Sequence, residues 1–74
     1  MKIKLLVKGP AEVADKAAKE RGFEITTSEE FSDRSQTWIV AEGRWKWAAE
    51  WLLADAHFET PYPDGSLIWY REAR

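Results

Sequence analysis

Three groups of residues have the chemical types that catalysis or metal binding would use. The single histidine, His57, lies between Asp55 and Glu59. A catalytic imidazole needs an orienting carboxylate and a nucleophile, but residues two apart on a helix do not face each other, so this spacing yields a solvated histidine at a helix end. Glu29, Glu30 and Asp33 offer carboxylate oxygens to a hard cation. Calcium requires at least about six oxygen ligands from a defined loop, and that spacing is missing. A charged hairpin edge that resists strand addition explains these acids more simply. Gly9 followed by Pro10 lacks the repeated glycines of a phosphate loop, and this pair, like Asp64 with Gly65, reads as a turn. Without cysteine there are neither disulfides nor thiolate metal sites, and one histidine cannot build a histidine zinc site. No catalytic, cofactor-binding or metal-ligating residue is assigned, and a protein that is not an enzyme and needs no cofactor is expected.

Aromatic surface is what the chain has in excess. Three of its five tryptophans fall between Arg44 and Phe58, a stretch whose composition predicts a helix over residues 44–57. At about 100° per residue, Trp45, Ala48, Ala49, Leu52 and Ala56 share one sector, while Trp47, Trp51, Ala54 and Phe58 share another. Arg44 and Asp55 lie between the two sectors on one side; Lys46, Glu50 and His57 fill the other gap. The helix therefore carries two apolar stripes. Either both wrap round the core, or one is left to anchor a partner. Tryptophan and arginine are enriched among interface hot spots, so the anchor assignment falls on Arg44, Trp47, Trp51 and Phe58, with Asp55 in its polar rim. Trp45 and Leu52 are then the core pair.

The elements that must position this helix follow from periodicity. Ile3, Leu5 and Val7 alternate with Lys2, Lys4 and Lys8, the pattern of a half-buried strand over residues 2–8. After the Gly9-Pro10 break, Ala11, Val13, Ala14, Ala17 and Ala18 form one stripe of a helix over 10–21, its face apolar but small. Gly22 stands where a left-handed residue would end that helix. Phe23, Ile25 and Thr27 alternate in a second strand, Ser32 to Ser35 make a turn, and residues 36–42 form a third strand in a hairpin with the second. Residues 60–65, with two prolines and a glycine, are irregular, and residues 66–71 form the last strand.

The resulting order, βαββαβ, predicts an α+β fold of the ferredoxin-like plan, with two helices packed on one face of a four-stranded antiparallel sheet and the first and third strands central. A chain of 74 residues is one such domain, residues 1–74, near the size at which an unstapled core is only just sufficient. Whichever parity the strands adopt, both faces of the sheet are apolar: Trp38 with Val40 opposes Ile39 with Ala41, and Leu67 with Trp69 opposes Ile68 with Tyr70. The uncovered face therefore competes with the helix as a binding surface, and Lys4, Leu6, Trp38 and Trp69 are its candidate residues. Such patches mark association. Self-association through this face into a homodimer is the second functional reading.

Acylphosphatases share this plan, but their arginine-bearing phosphate loop and catalytic asparagine have no counterpart in a chain with no asparagine. RNA-recognition domains also share the plan and stack bases on sheet aromatics, which gives Trp38 or Trp69 beside Lys4 a third reading as a single-stranded RNA or DNA site. Their basic-aromatic consensus is absent, and 11 basic against 13 acidic residues, a net charge of −2, gives no general attraction to nucleic acid. The apolar run of residues 3–7 is interrupted by Lys4 and too short for a signal segment, and no membrane span is present, so a cytoplasmic protein is expected.

The opening Met1-Lys2-Ile3-Lys4-Leu5-Leu6-Val7-Lys8-Gly9-Pro10-Ala11-Glu12-Val13-Ala14-Asp15, with its small βαββαβ remainder, resembles the accessory proteins that bacteriophages encode for host takeover or anti-defence. The resemblance covers the general plan of the chain. It implies a noncatalytic protein that binds and modulates a bacterial host protein in the host cytoplasm.

Overall fold

The computed structural model describes residues 1–57 and 62–73. Ile3, Leu5 and Val7 are fully buried, as are Thr37, Ile39 and Ala41, because β1 (Lys2–Lys8) and β3 (Gln36–Glu42) are the two central strands and turn these side chains toward the helices. With β2 (Glu24–Glu30) and β4 (Leu67–Glu72) at the edges, the sheet order is β2-β3-β1-β4 and every pairing is antiparallel. The chain has an α+β ferredoxin-like fold, and its element order is βαββαβ. Among the described residues no helix is long and apolar enough to cross a membrane.

The first helix, α1 (Ala11–Glu20), begins one residue later than periodicity predicts. Pro10 is still extended and uses its carbonyl to accept the N–H groups of Val13 and Ala14, while the Ala11 N–H is taken by Glu30 Oε2 at 2.8 Å. An acid at this end complements the helix dipole. Glu30 is thus part of the helix start rather than a free charge on the hairpin edge. The other end closes as expected, with Gly22 at φ +92° and the N–H groups of Gly22 and Phe23 returned to the carbonyls of Lys19 and Ala18, the Schellman arrangement. Ala14 and Ala18 lie fully buried against the sheet; their small size lets the helix come close.

The second helix, α2 (Trp45–Asp55), is shorter than the predicted 44–57, and Ala56 and His57 form a turn after it. Its buried residues are Ala48, Trp51 and Asp55. Trp47 and Leu52 flank them, partly buried against the core. The seam that faces the sheet therefore runs between the two apolar stripes and takes one member from each. Trp51, at 1% exposure, is the largest fully buried side chain, whereas Trp45 is 38% exposed and rests its ring on Tyr70 of β4, centroids 4.7 Å apart. Trp45, expected as core, therefore lies at the surface, and Trp51, expected as an anchor, is core, while Leu52 and Trp47 are both partly buried against it. Asp55, expected in a polar rim, is 4% exposed and accepts the backbone N–H of Leu67. A polar residue can occupy the centre of a buried stripe when a backbone group satisfies it, which a count of apolar positions does not register.

The connection from β2 to β3 is a turn in which the Arg34 N–H returns to the Phe31 carbonyl at 2.9 Å and Asp33 Oδ1 accepts both the N–H and the hydroxyl of Ser35. Arg34 itself adopts a left-handed backbone, φ 60°, and its guanidinium pairs with Glu12 and Glu30. β2 bulges between Ile25 and Thr27, and the pairing of β1 with β4 shifts between Leu6 and Val7.

Candidate functional site

Register decides which aromatics share the uncovered face. Leu6 pairs with Trp38 on one side and with Trp69 on the other, and Lys4 pairs with Val40 and Arg71. Since Ile3, Leu5 and Val7 point to the helices, all six of these residues point away from them. The strands carrying the two tryptophans are two spacings apart, roughly 9.6 Å, yet their ring centroids are 5.7 Å apart with planes at 89°. Both indoles therefore lean inward and meet edge to face over Leu6, a favoured aromatic geometry. Lys4 Nζ stands 4.7 Å from the Trp38 ring centroid, and the Arg71 guanidinium stands 5.7 Å from that of Trp69. Phe31 extends the aromatic surface from the far side of Trp38 at 6.4 Å. Trp69 keeps 42% of its surface exposed.

Charge is divided across this face. The parity of β1 and β4 places Lys2, Lys4, Lys8 and Arg71 on one half, and the cross-strand pairing of Glu24 with Glu42 and of Glu29 with Trp38 places three acids on the other. Glu42 also pairs with the N-terminal amine at 3.2 Å. At one end of the basic half, Lys2, Lys4, Val40 and Arg71 line a shallow concavity together with Glu72 and Ala73. The arrangement offers flat aromatic contact area, two cations already held over rings, and hydrogen-bonding charges of both signs at the margins.

The helix candidates are placed differently. Arg44 is exposed, with its guanidinium 5.6 Å from the Trp47 ring centroid, and these two residues are together as expected. Trp47 is half-buried, its edge against Phe23 at 5.8 Å, and it borders a shallow hollow with Arg21, Glu50, Trp51 and Ala54. Trp51 lies beneath, tilted against Phe23 at 6.3 Å and covered by the Arg21 guanidinium at 4.9 Å, so it is core and not a projecting anchor. Phe58 lies outside the described residues. Of the four helix candidates, Arg44 and Trp47 remain available at the surface, and the four sheet candidates Lys4, Leu6, Trp38 and Trp69 are brought into one patch.

Arg71, Val40, Phe31 and the acids of β2 and β3 are members of the sheet patch that sequence reasoning did not assign. The alternation of β1 fixes the outward parity of Lys4 and Leu6, that of β3 keeps Val40 with Trp38, and cross-strand register is the missing information that joins these residues and Arg71 in one patch. His57 is exposed in the turn after α2. Asp33 is engaged by Ser35, whose hydroxyl and then N–H hold its carboxyl below the usual carboxylate range. Among the described residues, no group of three or more His, Cys, Asp or Glu side chains is placed to hold a metal ion.

Compared with known proteins, the chain matches no protein-family model, no curated protein and no solved structure.

Proposed function

We propose that this chain is a noncatalytic protein-binding module and that its contact surface is the open face of the sheet. The observation that carries the reading is the Trp38 and Trp69 pair, which meets over Leu6 on the face opposite the helices with Trp69 42% exposed and a cation over each ring. A side chain that needed only to fill the core would be turned inward, as Trp51 is. Large aromatic rings lose little conformational freedom on contact and dominate interface energetics, and the flanking lysines and glutamates provide a polar margin. The resemblance to phage accessory proteins adds the more specific version, in which the protein bound belongs to a bacterial host.

The test is capture from a bacterial lysate by the immobilised protein, with Trp38→Ala/Trp69→Ala and Trp47→Ala as controls whose folding is verified by circular dichroism. A protein retained by the wild type and by Trp47→Ala but lost by the folded sheet variant supports the reading. Retention unchanged by the sheet variant, or lost only with Trp47→Ala, moves the site to the helix and overturns it.

A further inference from the structure

We infer that the protein surface this open face fits is the same face of a second copy of the chain, the two sheets stacking about a two-fold axis that runs parallel to the strands between β3 and β1. The inference rests on the reading of the open face as a binding surface and names what covers it.

The argument is charge complementarity. The half formed by β2 and β3 presents Glu24, Glu29 and Glu42, and the half formed by β1 and β4 presents Lys2, Lys4, Lys8 and Arg71. A two-fold axis along the strands lays β2 of one copy over β4 of the other and β3 over β1, so the acidic half of each copy covers the basic half of its partner. An in-plane axis perpendicular to the strands would lay acid on acid and base on base, an arrangement that like-charge repulsion disfavours. The first axis also preserves rows. Glu42 and Lys2 are cross-strand neighbours, so the partner's Glu42 arrives over Lys2, the partner's Trp38 over Leu6, and the partner's Glu29 over Trp69 beside Arg71. Such an isologous contact closes on itself and needs no third copy.

The same charge division separates this occupant from a nucleic acid strand, which would gain the basic half but meet Glu29 beside Trp38 and the Glu24 and Glu42 pair further along the same strands. Four strands of six or seven residues span roughly 19 Å by 20 Å, about 380 Å² on each copy and roughly half the footprint of a standard interface, so the dimer is weak and depends on concentration.

The experiment is light scattering and sedimentation from micromolar to millimolar concentration on the wild type, on Lys4→Glu/Arg71→Glu and on Glu29→Lys/Glu42→Lys, each checked for folding by circular dichroism. The wild type is expected to show a monomer–dimer equilibrium. Each charge variant weakens association by more than about tenfold, because each reverses two charges of one half and sets them against like charges of the partner's half, and an equimolar mixture of the two restores a dimer. A nitroxide on Thr27→Cys, mixed with an unlabelled nitrogen-15 copy, then broadens the amide signals of Trp69 to Arg71 across the interface. A wild type that stays monomeric overturns the inference, as does a dimer that survives both charge variants or broadening that falls on β2. If the monomeric wild type still loses a captured protein on Trp38→Ala/Trp69→Ala, only the second copy is eliminated; if capture is also unaffected, the binding surface goes with it. Salt-sensitive binding of oligothymidylate by a monomer would give the face to single-stranded nucleic acid and overturn the inference as well.

Discussion

The carboxylate of Asp55, the last residue of α2, accepts the backbone N–H of Leu67, the first residue of β4, and both are buried. An acid at a helix C-terminus opposes the helix dipole, so the residue is held there by this bond and not by its helical position. It ties the helix end to the start of the last strand and satisfies a buried donor at the sheet edge. Asp55→Ala leaves that donor without a partner and should lower stability by about 1–3 kcal/mol in urea unfolding, with Asp55→Asn, which keeps an acceptor oxygen, losing less.

The tryptophans divide by burial into two mutational classes. Trp51→Ala opens a cavity beside Phe23 and Ala48 and should cost about 3–5 kcal/mol, enough to unfold a marginally stable domain of this size. Trp69→Ala removes a half-exposed ring and one edge-to-face contact, for which about 1 kcal/mol is expected. Denaturant unfolding of the two variants side by side checks the contrast, and equal losses would refute the assignment of Trp51 to the core and Trp69 to the surface.

Gly43, between β3 and α2, is required for space. A Cβ built there would lie 2.2 Å from Phe23 Cδ1 and 2.6 Å from Cε1, and Phe23 is itself core. Gly43→Ala must displace that ring and should cost about 1–3 kcal/mol or more by overpacking. Pairing it with Phe23→Leu, which shortens the obstructing side chain, should recover part of the loss, so the two substitutions will not be additive.

Two carboxyls in the network around the β2–β3 turn make stability pH-dependent. Glu12 is lowered first by its own backbone N–H and then by the Arg34 guanidinium, and Asp33 is lowered by the Ser35 hydroxyl and N–H. Since the folded values lie below the unfolded ones, the unfolded chain binds more protons, and the contribution is fully present above the ordinary carboxylate range and lost as pH falls through the lowered values. Arg34 is raised by Glu12 and then Glu30, and its share with Glu12 is the same pairing seen from the guanidinium, present at neutral pH and lost as Glu12 is protonated. All three groups are exposed, so a shallow slope is expected. Thermal unfolding of the wild type against Arg34→Ala between neutral and acid pH should show the variant with the flatter dependence.

Most of the architecture was legible because local periodicity and turn chemistry agree along the chain. β1 and β3 fall on the predicted residues 2–8 and 36–42, and the glycine closure of α1 is present as read. The element ends were less legible. Pro10 stays outside α1 in an extended conformation, and Glu30, from a distant strand, supplies the acceptor for the Ala11 N–H. Lys4 and Leu6 follow from β1 alternation and Val40 from its parity with Trp38; that these residues and Arg71 form one patch comes only from register with β1.

The residues of this chain by themselves determined its element order, the antiparallel hairpin, the small apolar face of α1, and the fact that apolar side chains outnumber the places one core can hold, since each of these is set by neighbours within a few positions. Only the tertiary structure decided which tryptophan is core and which is surface. On α2 two stripes of nearly equal hydrophobicity compete for the sheet, and the seam settles between them because Asp55 finds a backbone donor at Leu67 and Trp51 finds Phe23. On the sheet, Trp38 and Trp69 become one surface because both are cross-strand neighbours of Leu6, a relation between strands far apart in the chain that no local pattern contains.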